Sequence, residues 1–333
     1  MALPVLLQNR LTLPLVGAPM FLASREELVI AQCLAGMVGT FPSLNARTTE
    51  ELDAWLTRIG ATLAAAQAAN PEQRIAPYGV NLILHGSNTR VAADLECMAH
   101  HRVPIVITSV GKPEAVVSAV HAWGGIVFHD VTTMKFARKA LECGVDGLVL
   151  VCAGAGGHGG TMNPFAFVEE VRAEYDGTVL LAGALSTGRA IRAALDLGAD
   201  LAYMGTRFLV ASEAHVPAPQ QSMLLEATMA DIVYTAVFSG IPANYLGPSI
   251  AANGVDVAAL VRLGSLPGTE GLKDVFKPGQ DRPKAWKEVW SAGQGVGALR
   301  EVLPVAEIVA RLQTEFAASR ADSTAGMFKL TSS

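Results

Sequence analysis

Charge is scarce in this chain. Asp, Glu, Lys and Arg make up 17% of its 333 residues, and their balance leaves a formal net charge of -5. The 25 Lys and Arg are scattered rather than clustered, so no basic field exists to attract nucleic acid, and neither DNA nor RNA is expected as a partner. Long apolar runs are missing too. Hydrophobic residues reach 51%, yet no stretch approaches the roughly 18 to 20 residues of a membrane span, so no membrane association is expected. The apolar excess is assigned to buried parallel strands and alanine-rich helices. Cysteine is limited to Cys33, Cys97, Cys143 and Cys152, far apart and without a C-x-x-C pair, a usage that fits a reducing cytoplasm. The opening Met1-Ala2-Leu3-Pro4-Val5-Leu6-Leu7 is broken by Pro4 and has no basic leader before it. It makes a poor signal peptide, and no export is expected.

What the chain does have is a regular beat. Eight strand-like apolar runs alternate with helix-like segments: Leu13 to Ala18, Met37 to Phe41, Tyr78 to Leu84, Val103 to Thr108, Gly125 to His129, Val145 to Val151, Thr178 to Gly183 and Ala199 to Met204. The spacing of about 25 residues per unit predicts a (β/α)₈ TIM barrel over residues 1–212, in preference to a doubly wound sheet with fewer, less even units. Helix starts are read at Ser24, Thr48-Thr49, Thr132-Thr133 and Ser186-Thr187, and helix ends at Gly144 and Gly198. Two units share a signature, Leu141-Glu142-Cys143-Gly144-Val145-Asp146 and Leu195-Asp196-Leu197-Gly198-Ala199-Asp200. The beat stops after Ala211. Residues 213–285 read as an appended α-helical lobe over the mouth, including a helical stretch from Gln220 to Val237 and then a Pro, Gly and Lys-rich connector from Gly264 to Pro283. Residues 286–333 read as a segment returning to the barrel, with a helix from about Val305 to Phe316 and a loose tail after Ala318.

One stretch stands apart, Cys152-Ala153-Gly154-Ala155-Gly156-Gly157-His158-Gly159-Gly160, which follows the sixth run. Backbone this bare can lie flush against a flat or phosphorylated ligand, and its lone imidazole can move a proton near neutral pH. The stretch also spells G-x-G-x-x-G. A dinucleotide fingerprint should open a helix at once, however, and here Thr161-Met162-Asn163-Pro164 intervenes. In a barrel the loops after the last two strands hold phosphate. Those loops are Ala182-Gly183-Ala184-Leu185 and Met204-Gly205-Thr206-Arg207, where Gly183, Gly205 and Thr206 offer unobstructed N–H groups and a hydroxyl. At the end of the first strand, Gly17-Ala18-Pro19-Met20 fixes small residues near the mouth. Asn81 is an amide in an apolar strand, which either meets a ligand or ties a neighbouring loop. His129-Asp130 ends the fifth run, where His129 either contacts the ligand or hydrogen-bonds across the mouth. A metal site from His129, Asp130 and His158 is not favoured, because the ligands would sit on two loops without a helical i, i+4 pair. The other five histidines carry no assigned role.

On these residues the chain resembles the nitronate monooxygenase family, formerly called 2-nitropropane dioxygenases. The likeness runs through Gly79-Val80-Asn81-Leu82, Ala155-Gly156-Gly157-His158-Gly159, Ala182-Gly183-Ala184 and Met204-Gly205-Thr206-Arg207-Phe208, and on to Phe238-Ser239-Gly240-Ile241-Pro242-Ala243 and Ser291-Ala292-Gly293-Gln294-Gly295. The resemblance implies an FMN-dependent barrel in which Ala18, Pro19 and Met20 line the flavin, Asn81 bonds near its polar edge and Gly156 backs it. It further implies that Gly183, Ala184, Gly205 and Thr206 bind the phosphate and that His158 is catalytic. There are departures: Gly154 replaces a frequent glutamate, Gly159-Gly160 stands where many members have His-Arg-Gly, and Val151 and Asp130 replace polar and lysine residues common at two strand ends.

The reaction this implies is oxidation of alkyl nitronates, or of nitroalkanes, by FMN and O₂ to carbonyl compounds and nitrite. His158 would act as base or as a partner of the nitronate. The alternative is an NAD(P)H-dependent FMN reductase of quinones or enoyl thioesters, like the enoyl-acyl-carrier-protein reductases. A third reading is a phosphate-binding barrel without flavin. Small-molecule substrates and O₂ are the expected partners, and both monomer and homodimer remain open.

Overall fold

Eight of the short apolar runs become the staves of one parallel sheet in a computed structural model that describes residues 3–265, 275–276 and 281–324. They are β1 (Leu15–Gly17), β2 (Gly39–Pro42), β3 (Tyr78–Ile83), β4 (Ile105–Ser109), β5 (Ile126–Val131) and β6 (Gly147–Val151), then, after a two-residue strand β7 (Gly157–His158) outside the barrel, β8 (Thr178–Ala182) and β9 (Leu201–Met204). Their order around the sheet is β1-β9-β8-β6-β5-β4-β3-β2. A parallel bridge from Val16 to Val38 joins the two edges. The result is the (β/α)₈ barrel.

Strand periodicity decides which side chain goes where. On β6, Leu148 and Leu150 face the helices while Val149 and Val151 face the barrel interior; β8 divides Val179 and Leu181 from Leu180 and Ala182 in the same way. Both faces are apolar because both are covered. The N-terminal Val5–Leu7 turn adds Leu7 to the interior cluster.

The repeated signature has one structural meaning. In each copy the glycine ends a helix with positive φ, +79° at Gly144 and +118° at Gly198, a conformation that suits a residue without Cβ. The aspartate two residues on then clips the preceding strand. The Asp146 N–H donates to Val127 O (2.8 Å) while its carboxylate accepts from Val127 N (2.7 Å). Asp200 does the same with Val179 (2.8 and 2.9 Å).

Three of the four expected helix starts cap as read: Thr48, Thr133 and Thr187 accept from the backbone N–H three residues on. Ser24 does not. Its hydroxyl accepts from Met20 N (3.0 Å) and so folds the loop after β1 onto itself, leaving the first helix without a side-chain cap.

After β9 the chain leaves the barrel. The region contains helices, as expected, but the stretch from Gln220 to Val237 is not one helix. The helix Ala218–Glu226 stops, and Ile232–Thr235 forms β10, which pairs antiparallel with β11 (Ala243–Leu246). The reason is visible in the composition: Ile232-Val233-Tyr234-Thr235 is a β-branched and aromatic run, which suits a half-buried strand. The chain then returns to the barrel. The helix Val305–Thr324 packs between Gly188–Leu197 and Glu26–Leu34 and takes the place of the eighth barrel helix. It runs beyond Phe316, past the start of the tail expected to be loose. The end of that tail and most of the Gly264 to Pro283 connector lie outside the described residues.

Candidate functional site

At the C-terminal ends of the strands a large cavity opens, with a volume of about 1890 Å³. Ala18, Pro19, Met20, Asn81, Gly156, His158, Gly183, Ala184, Gly205 and Thr206 all line it. The structure therefore brings together every one of these residues, although they come from several different strands and the loops that follow them.

The turn after β8 is unusual. Gly183 and Ala184 are both in positive φ, +127° and +55°, and for Ala184 that conformation costs about 1 to 2 kcal/mol. A turn of this kind aims backbone N–H groups at an anion. Beside it, Thr206 follows the end of β9, and its hydroxyl accepts from Gly293 N (2.8 Å), which leaves its own proton free to donate. Gly205 abuts the end of β1: an added Cβ there would sit 3.4 Å from Ala18 Cβ and 3.6 Å from Met20 Sδ. A side chain at this position would fill the cradle.

Asn81 does tie a neighbouring strand. Its amide nitrogen donates to Ile107 O and Ser109 Oγ, both at 3.1 Å, while the side chain still borders the cavity. His129 also hydrogen-bonds to a neighbouring strand while bordering the cavity. It has the parity of Val127 and Val131, which face the helices, and its Nδ1 lies 2.7 Å from Thr108 Oγ1 on β4. Burial lowers its pKa to about 4, so it is neutral.

His158 is not held by the barrel at all. Gly157–His158 forms the third strand of the small sheet, with Ala243 of β11 opposite His158 and Asn244 opposite Gly157. The rest of the loop is tied to the same region. Asn244 Nδ2 donates to Ala155 O (2.6 Å), Gly157 N to Ser291 Oγ (2.6 Å), Tyr234 OH to Gly159 O (2.8 Å) and Gln294 N to Gly154 O (2.9 Å). The imidazole edge meets the ring of Trp286, with centroids 5.0 Å apart at 85°. Its Nε2 lies 3.2 Å from Ser239 Oγ, whose own proton goes to Ile241 O (2.8 Å). With that proton given to Ile241, Ser239 accepts from Nε2–H in the neutral tautomer that keeps a lone pair on Nδ1. The ring is open to the cavity but walled in by these neighbours. The residue is exposed by area, yet the protein around the ring desolvates it enough to lower its pKa below the usual histidine value.

Sequence reading did not single out Trp286, Asn244, Tyr234, Ser239 or Ser291 as site residues. Ser239 and Ser291 fall inside two stretches already noticed for their resemblance. That signal was available, but it gave no roles.

Comparison with known proteins adds the following. A family model described as nitronate monooxygenase matches residues 45–315. A nitronate monooxygenase of Paraburkholderia phytofirmans is 28% identical over 342 residues, covering 91% of this chain and 92% of that protein. The (3aS,4S,5R,7aS)-5-hydroxy-7a-methyl-1-oxo-octahydro-1H-indene-4-carboxyl-CoA dehydrogenase of Mycobacterium tuberculosis is 28% identical over 237 residues, 70% of this chain and 62% of that protein, so the match spans under two thirds of its length. In fold, the chain is similar to the crystal structure of nitroalkane oxidase from Streptomyces ansochromogenes, with a TM-score of 0.75, 23% identity and coverage of 96% of this chain and 100% of that one.

Proposed function

Because the chain belongs to the nitronate monooxygenase family, we propose that it binds FMN in this cavity and oxidises alkyl nitronates, and nitroalkanes after deprotonation, with O₂ to carbonyl compounds and nitrite. The observation that carries the reading is that the strained turn at Gly183-Ala184 and the imidazole of His158 border one and the same cavity. The residues fit the cofactor. Gly183, Ala184, Gly205 and Thr206 would take the phosphate, Ala18, Pro19 and Met20 would lie along the ring, Gly156 would back it, and Asn81 would meet its polar edge. When bound, FMN supplies the electron acceptor and the site of reaction with O₂.

The protein's part is proton transfer and positioning. With Nε2–H committed to Ser239, His158 takes the proton from the carbon bearing the nitro group at Nδ1. Its lowered pKa keeps it neutral at pH 7, which favours the base over a cationic partner for the nitronate. Such a base is worth about 10² to 10⁴ in rate. His158→Asn should bind FMN normally and oxidise a preformed nitronate, while its turnover of the neutral nitroalkane falls by about that factor. Undiminished nitroalkane turnover would remove His158 from the role.

The cavity volume favours one second reading, a reductase supplied by NADH or NADPH and acting on a larger quinone or thioester. At about 1890 Å³ it exceeds the roughly 300 to 1,000 Å³ of ordinary ligand pockets. Anaerobic mixing with NADH and NADPH separates the two: rapid bleaching of the flavin supports the reductase, and no bleaching supports the monooxygenase.

A further inference from the structure

The interior of the cavity holds two polar groups that the protein leaves unanswered. Asp130 Oδ1 on β5 and the Tyr203 hydroxyl on β9 are both buried, and neither has a hydrogen-bond partner among the described residues. Both side chains line the cavity. Their strands are not neighbours, since β6 and β8 lie between them. Both point inward: Asp130 has the parity of Phe128 and Tyr203 that of Leu201, and both of those residues belong to the barrel interior.

An unpaired buried polar group costs on the order of 1 to 3 kcal/mol. Two in one cavity, on opposing staves, indicate a ligand that completes them. The surroundings also fix their protonation. β3, β4, β6, β8 and β9 carry no charged side chain. The titratable group facing Asp130 is Tyr203, and adjacent His129 turns to Thr108. Burial alone pushes the Asp130 carboxyl up to about 7, and burial with nearby Asp130 raises the Tyr203 phenol further above its ordinary range. Below neutrality both groups are donors.

We propose that Asp130 and Tyr203 together grip an acceptor-rich edge of the cavity's ligand, the neutral carboxyl and the phenol each donating to a ring carbonyl oxygen or ring nitrogen. This rests on the flavin reading, in which that edge is the polar end of the isoalloxazine ring. The acid donates only while it holds its proton. For a group titrating at about 7, the competent fraction falls roughly tenfold from pH 6 to pH 8, and the apparent Kd rises by the same factor.

The test is titration of FMN into full-length apoprotein at pH 6 and pH 8, followed by flavin fluorescence, for wild type, Asp130→Asn and Tyr203→Phe. The FMN phosphate titrates in the same interval, but equally for wild type and Asp130→Asn, so their ratio isolates the carboxyl. We expect the wild-type Kd to rise roughly tenfold more than that of Asp130→Asn, whose amide donates at every pH. Tyr203→Phe should bind FMN more weakly at both pH values with the wild-type slope. Equal pH dependence in wild type and Asp130→Asn overturns the proposal. Should Asp130→Asn fail to fold, unchanged affinity in Tyr203→Phe overturns it instead. A wild-type protein that takes up no FMN at either pH refutes the flavin reading, and the proposal with it.

Discussion

The crossing of two glycines is the most sensitive mechanical point of the site. Gly156, in the loop that carries His158, and Gly293, in the returning segment, approach so closely that a Cβ on Gly156 would lie 2.9 Å from Gly293 N and 3.1 Å from Ala292 C. Both obstacles are backbone, so they cannot rotate away. Gly156→Ala must push the loop and the returning segment apart, at the roughly 1 to 3 kcal/mol typical of overpacking. Each kcal/mol lowers Tm by about 2 to 4 °C in a large domain. The displacement also pulls Gly293 from Thr206 Oγ1, so FMN affinity should fall together with Tm. Gly157→Ala is the control. Its φ of +72° penalises a side chain, but no atom lies within 4 Å of the new Cβ. It should lower Tm by the cost of the backbone conformation, about 1 to 2 kcal/mol, and leave FMN affinity near wild type. Thermal melts and fluorimetric FMN titration measure both quantities. If Gly156→Ala melts with wild-type Tm and binds FMN as before, the crossing does not have the rigidity argued here.

Two further outcomes are expected. Asp200→Ala removes the clip on Val179 and takes the carboxylate, 2.5 Å away, from the Arg172 guanidinium, which keeps only its bonds to the carbonyls of Gly198, Tyr175 and Gly177. The cost should be about 3 kcal/mol in urea unfolding, and a loss below about 1 kcal/mol, the ordinary value of a surface pair, would show that the clip is dispensable. The His158 pKa is lowered by burial, so its base form persists as pH falls through 6.5, and the acid limb of kcat/KM for a nitroalkane should lie below pH 6.5 and disappear in His158→Asn. The same desolvation works against stability, because an imidazole held neutral in the fold gives the unfolded chain the greater proton uptake as pH drops from 6.5 toward the lowered value. A limb at or above pH 6.5 would contradict the assignment.

The barrel was legible because its signal is local and repeated. Each stave is a short apolar run, and several helices announce themselves with a Thr cap or a terminal glycine, as at Thr48, Thr133, Thr187 and Gly198. The cavity-lining residues were legible for the same reason: strand ends in a barrel converge on one rim, so placing Gly17-Ala18, Gly183 and Gly205 at strand ends was enough to bring them together, and Asn81 stood out separately as an amide within an apolar strand. Ser24 misled because Ser before Glu-Glu satisfies the capping pattern equally well when its hydroxyl turns back to Met20. The stretch Ile232 to Thr235 misled because the absence of Gly and Pro says only that a helix is permitted, whereas its branched residues and the pairing with Ala243–Leu246 select a strand.

The placement of His158 was hidden for a deeper reason. Gly157–His158 has no strand propensity of its own and no apolar alternation. It becomes a strand only because β11 offers a free edge, and that edge exists only once β10 and β11 have paired. The loop's orientation is then fixed by Asn244, Ser291 and Tyr234, which come from three parts of the region beyond the barrel. Bare glycine backbone is what permits this: Gly154 and Gly157 adopt positive φ, and Gly156 lets the returning segment pass at contact distance. The barrel and the added region thus divide the work. Strand ends supply the strained Gly183-Ala184 turn and the inward polar pair through local sequence, while the imidazole is aimed by partners distant in the chain. It follows that changes in β10, β11 or the Ser291-Ala292-Gly293 segment should re-aim His158 without disturbing the turn at Gly183-Ala184, a separation that no substitution within the barrel strands could achieve.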